Sequence, residues 1–89
     1  MANNLDTDSL ELMIREMGQY IEMLHANRNK IAAAATACDT VLGGDALSRK
    51  YVSRIEEVVV HLDQTAVIAR EIQVSLEEEL RRAVMLYES

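Results

Sequence analysis

Thr40-Val41-Leu42-Gly43-Gly44-Asp45-Ala46 holds two of the three glycines, side by side near the middle of an 89-residue chain that contains no proline. On either side lies a long run with helical periodicity and no comparable breaker. Gly43 suits the position just past a helix, where positive φ is common, and Asp45 suits the N-cap of the next helix. The stretch reads as a turn that folds two long helices back on each other. The fold class is therefore all-α, an antiparallel helical hairpin in one domain over residues 1–89. The expected bounds are a first helix over about 7–41, a turn over 42–45 and a second helix over about 46–87.

Upstream of the turn, Asp6-Thr7-Asp8-Ser9 offers alternative N-caps. With Asp6 as cap, Leu5 and Leu10 stand at the ends of a hydrophobic staple; with Asp8 as cap, Glu11 stands as a capping-box acid. From there the apolar residues step by four and three: Leu10, Ile14, Met17, Ile21, Leu24, Ile31, Ala35, Cys38, Leu42. This is a heptad stripe, interrupted only by Arg28. Met13, Tyr20 and Met23 widen it, and Gly18 reads as a tolerated surface glycine rather than a close approach. Ala32 to Ala35 have small side chains that propagate helix and let a neighbour come near.

Downstream, one stripe runs through Leu47, Tyr51, Ile55, Val58, Leu62, Thr65, Ala69, Ile72, Leu76, Glu79 or Leu80, Ala83 and Leu86, broadened by Val52, Val59, Ala66 and Val67. Val58-Val59-Val60 leans to strand locally, but the surrounding period is helical. Glu77-Glu78-Glu79 followed by Arg81-Arg82 supplies i,i+4 pairs of a solvated face. Folding at Gly43-Gly44 sets residue i level with residue 87−i.

Two helices of this length bury little alone, so the stripes are expected to continue across an interface, with two hairpins pairing into a four-helix bundle. The partner interface is expected to draw on Leu10, Ile14, Met17, Ile21, Leu24, Arg28 and Ile31 of the first helix. The second contributes Tyr51, Ile55, Val58, Leu62, Ile72 and Leu76.

The formal net charge is −6, which disfavours nucleic acid or an anionic membrane surface as partner. No run reaches the ~20 apolar residues needed to insert across a bilayer. The residues from Met1 to Asp6 have neither a basic segment nor an apolar core, so no Sec-type leader is expected. The single cysteine, Cys38, reads as a small core residue.

No catalytic constellation is visible. Cys38, Ser48 and Ser53 have no base or oxyanion arrangement beside them, and Gly43-Gly44 follows a helix rather than a strand, unlike a phosphate loop. The expectation is a non-enzymatic protein without cofactor or metal. Glu22-x-x-His25 matches one half of a carboxylate-bundle metal motif, and Glu57 and His61 would fold to the same level. Both histidines neighbour stripe positions rather than occupy them, and read as boundary residues. Arg28 reads either as a polar device that selects the partner, paired with Glu56 or Glu57, or as an arginine whose stem packs while its head reaches water.

The pattern resembles the WXG family of small helical hairpins, substrates and partners of type VII (ESX-like) secretion. In that family the midpoint turn carries Trp-x-Gly. Here Leu42-Gly43-Gly44 matches it, with Leu42 in the Trp position and Gly44 as the Gly. The family's C-terminal Tyr-x-x-x-Asp/Glu export signal is matched only at Tyr87. Both departures resemble the WXG-like partners of LXG toxins. The resemblance implies that the chain binds the N-terminal helical region of an LXG toxin, a second WXG-like protein or itself, and helps present cargo to the secretion ATPase. It also implies a cytoplasmic start followed by export to the cell surface or medium. A cytoplasmic coiled-coil adaptor is the alternative.

Overall fold

In the computed structural model, residues 6–88 are described, with side chains to residue 86. Two helices account for nearly all of them: α1, Thr7–Leu42, and α2, Ala46–Glu88. They pack side by side as a hairpin, and no strand occurs among the described residues. The ends are set by local chemistry. Asp6 caps α1, its carboxylate accepting from the Asp8 amide at 3.2 Å. That decides between the two alternatives at this end; Leu5, the other half of the expected staple, lies outside the described residues. Asp45 caps α2 by accepting from the Ser48 amide at 2.9 Å. Between them Gly43 and Gly44 both adopt positive φ, 75° and 70°. The Gly43 amide closes α1 on the Asp39 carbonyl at 3.0 Å. This left-handed conformation is where a Cβ crowds the backbone, which explains the adjacent glycines.

The register follows from three cross-helix contacts. Ser48 Oγ donates to Asp39 Oδ1 at 3.0 Å beside the turn. The Gln73 side-chain amide donates to the Ile14 carbonyl at 3.1 Å near the open end. Midway, Leu24, Ala66 and Ala69 form a buried cluster covered by Met17, Ile21 and Leu62. Residue i is thus level with residue 87−i.

Every member of the α1 stripe from Leu10 to Leu42 is buried or half-buried. On α2 the inward row differs from the expected one. It runs Ser48, Val52, Ile55, Val59, Leu62, Ala66, Ala69, Gln73, Leu76, Leu80 and Ala83, again in steps of four and three. Ser48, Ala66 and Ala69 are among its most buried members. Leu47, Tyr51, Val58 and Ile72, members of the sequence stripe, are exposed. The row holds both small residues (Ser48, Ala66, Ala69) and large ones (Ile55, Leu62, Gln73, Leu80), so place in the four-three step decides which residues face α1.

Gly18 is also corrected. It is half-buried, and a Cβ there would stand 3.0 Å from Gln73 Nε2. It marks where the Gln73 side chain crosses to α1 rather than an open surface position.

The hairpin is a rod of 66 × 17 × 14 Å with a radius of gyration of 19.8 Å. A compact globule of this length has a radius of gyration of about 12 Å. A rod has little interior, and the fully buried side chains are few.

Candidate partner-docking side

A hairpin has two sides, and on this one they differ. On α2, Val58 stands beside Ile55 and Leu62 of the inward row, three residues before it and four after. Asp63 stands on the opposite flank, beside Val59 and Ala66. On α1, Tyr20 flanks Met17 and Leu24, while His25 flanks Ile21 and Arg28. In an antiparallel pair the matching flanks face the same way. His25, Asp63 and Arg70 accordingly line one shallow groove, with Ile21, Ala66, Val67 and Glu71.

The Tyr20/Val58 side gathers most of the large apolar side chains that the fold leaves exposed. Met13, Tyr20, Met23 and Val41 project there from α1, and Leu47, Tyr51, Val58, Ile68 and Ile72 from α2. They span the rod from its turn to near its open end. The His25/Asp63 side is more polar. It carries Asp63, Arg70 and Glu77, and its exposed large apolar residues are chiefly Val60, Val67 and Val74 along the outer edge of α2. Scattered exposed apolar residues are ordinary; a continuous stripe of them along one side is not.

The expected interface residues therefore divide. Leu10, Ile14, Met17, Ile21, Leu24 and Ile31 of α1, with Ile55, Leu62 and Leu76 of α2, lie between the two helices of the same chain. Tyr51, Val58 and Ile72 remain open to another molecule. Residues missed by the stripe reasoning are Gln73 and Ser48 as inward polar positions, and Ile68 as part of the exposed side. The signal for the first two was their place in an unbroken four-three step through Ala66 and Ala69.

Arg28 pairs within its own chain. Its Nε donates to Asp63 Oδ1 at 3.2 Å, and both side chains are more than a third exposed. Glu56 and Glu57 are not its partners. Side chains tilt toward the N-terminus of their own helix, so Arg28 reaches down to the level of Leu24, opposite Asp63. Arg28 is thus an arginine whose stem covers the inter-helix seam and whose head sits at the water boundary.

His25 and His61 lie near the same level but on opposite flanks, so with Glu22 and Glu57 they do not converge. No group of three or more metal-ligating side chains occurs among the described residues. Cys38 is a half-buried free thiol in the α1 stripe. Leu42 is half-buried beside Gly43 and Gly44 at the turn. Tyr87 falls in the last turn of α2, and its side chain lies outside the described ones. No helix among the described residues is long and apolar enough to cross a membrane.

No family model, no curated protein and no solved structure matches the chain.

One side of the rod is a long run of exposed apolar residues, with Glu16, Lys30 and Arg54 on its outer shoulders; such a run is the kind of surface that helical interfaces cover. Interfaces of this kind draw their affinity from buried aromatic and aliphatic anchors near the centre, and here Tyr20, Val58 and Ile68 occupy that place.

Proposed function

We propose that this protein is a non-enzymatic helix-docking factor of type VII secretion. Its Tyr20/Val58 side receives the N-terminal helical region of an LXG-type toxin, and the pair is exported together through the secretion ATPase. The single observation that carries the docking part is the gathering of exposed apolar residues on that one side of the hairpin. The secretion part is supported by the turn, Leu42-Gly43-Gly44, at the midpoint of a hairpin with the family's length and shape. Docking completes a bundle core that two helices leave half made.

The test is co-expression of the chain with the N-terminal helical region of an LXG toxin in a type VII-competent host. The reading predicts a copurifying complex, loss of that complex in Val58→Asp, and appearance of both chains in the medium. A complex without export leaves a cytoplasmic helix-docking adaptor. No complex with any such region would sink the toxin-partner reading.

A further inference from the structure

We infer that the outer edge of α2, along Val60, Val67 and Val74, is a second docking site, distinct from the Tyr20/Val58 side, and that it receives a basic amphipathic helix of another protein. The inference stands apart from the toxin reading, because it uses a different face and none of the same residues.

Spacing gives the first argument. The three valines are seven residues apart, so they form one row along α2. All three are exposed, and none belongs to the inward row. The row is about 21 Å long, four turns of helix. A partner helix engages such a row with apolar residues at the same repeat.

A groove beside the middle valine gives those residues a seat. It has a volume of about 480 Å³ and lies where Val67 meets Ile21 and Ala66. These three make its apolar wall; Asp63 and Glu71, with His25 and Arg70, supply its charged and polar lining. An apolar side chain from a partner enters beside Val67 and leaves its basic neighbours within reach of the two acids.

Charge identifies the occupant. The positions three and four residues from each valine flank the row in two lines. One holds Glu56, Asp63, Arg70 and Glu77; the other holds Glu57, Gln64, Glu71 and Glu78. Arg70 is the single base among them, and the Gln73 side chain already engages it. Asp63 pairs with Arg28 and Glu57 with Arg54. Glu56, Glu71, Glu77 and Glu78 have no ion-pair partner in their own chain among the described residues. An apolar row between two acidic lines fits a helix whose own apolar row lies between lysines and arginines. The same charges turn away nucleic acid and anionic lipid. They also turn away the identical edge of a second copy, since a two-fold contact there would stack acid on acid.

The test is a titration of the full chain into a fluorescein-labelled synthetic peptide, followed by anisotropy. The peptide has about 18 residues, with leucine at the a and d positions of its heptads and lysine elsewhere. Its counterpart carries glutamate in place of lysine. Circular dichroism checks that each protein variant stays helical. The lysine peptide is expected to bind and to weaken steeply as salt is raised, and the glutamate peptide is expected not to bind. Val67→Asp is expected to weaken the lysine peptide about tenfold or more, although it adds a negative charge. Joint Glu71→Lys and Glu78→Lys is expected to weaken it by a similar factor, and Val58→Asp to leave it unchanged. A lysine peptide that fails to bind would overturn the site. So would binding that is unaltered or tightened in Val67→Asp, which charge alone would give. Binding lost in Val58→Asp and kept in Val67→Asp would overturn it too, by seating the peptide on the other side. In each of these cases toxin capture that depends on Val58 and not on Val67 would leave the first docking reading standing.

Discussion

Gln73 spans the hairpin to donate its side-chain amide to the carbonyl of Ile14, 3.1 Å away. It does so over Gly18, where a Cβ would stand 3.0 Å from the same nitrogen. A polar residue in the inward row thus lies against a glycine one turn along the facing helix. Alanine at position 18 gains about 1 kcal/mol of helix propensity. It also pushes the amide from its acceptor, at a cost of about 1 kcal/mol. Gly18→Ala alone is therefore expected to leave stability nearly unchanged. In a Gln73→Ala background the same substitution is expected to stabilise by about 1 kcal/mol. Urea unfolding of the four-member cycle measures the difference, and equal effects in both backgrounds would refute the coupling.

At the turn the backbone alone decides. A Cβ on Gly43 would meet nothing within 4 Å, so only its φ of 75° opposes substitution. Gly43→Ala is expected to cost roughly 1–2 kcal/mol. Gly43→Asn is expected to cost less, because asparagine tolerates the left-handed region. Thermal unfolding of both variants checks the order.

Ser48 joins the turn to the hairpin. It is fully buried, its amide held by Asp45 and its hydroxyl by Asp39. Ser48→Ala is expected to lose about 1 kcal/mol for the hydroxyl bond. Asp45→Ala removes the cap of α2 and is expected to lose about 1 kcal/mol as well. Because both act on one turn, the double variant should lose measurably less than the sum in denaturant unfolding.

Much of this fold can be read from residue order. Gly43-Gly44 between two unbroken heptad runs leaves little but a hairpin, and the α1 stripe faces inward as its spacing requires. On α2 the spacing is ambiguous, because apolar residues flank the inward row as well as fill it. Apolar side-chain area favours Tyr51, Val58 and Ile72 over Ser48, Ala66 and Gln73, yet the helices bury the second set. Place in the unbroken four-three step decides there, since Gln73 faces inward while the smaller Val58 does not. The expected interface mixed the two sets: Val58 stays outside, while Leu62, named with it, lies between the helices.

Arg28 tests how much an ion pair on the seam matters. Its bond to Asp63 joins two partly exposed groups. Such pairs contribute about 0–1 kcal/mol. Leucine at this stripe position would pack against α2 instead. Arg28→Leu is therefore expected to retain full stability or gain up to about 1 kcal/mol. A loss above about 2 kcal/mol in urea unfolding would show the pair to be more than a boundary contact.

The central claim is that one side of the hairpin, and not the other, meets the toxin region. Val58 and Val60 allow a controlled comparison: both are exposed valines of α2, two residues apart, on opposite flanks. Aspartate carries the same helix-propensity penalty at either site. The decisive measurement is the capture of an LXG toxin's N-terminal helical region by Val58→Asp beside Val60→Asp at one concentration. The account predicts loss of the complex for the first and native capture for the second. Equal capture by both, or loss in Val60→Asp alone, would contradict it.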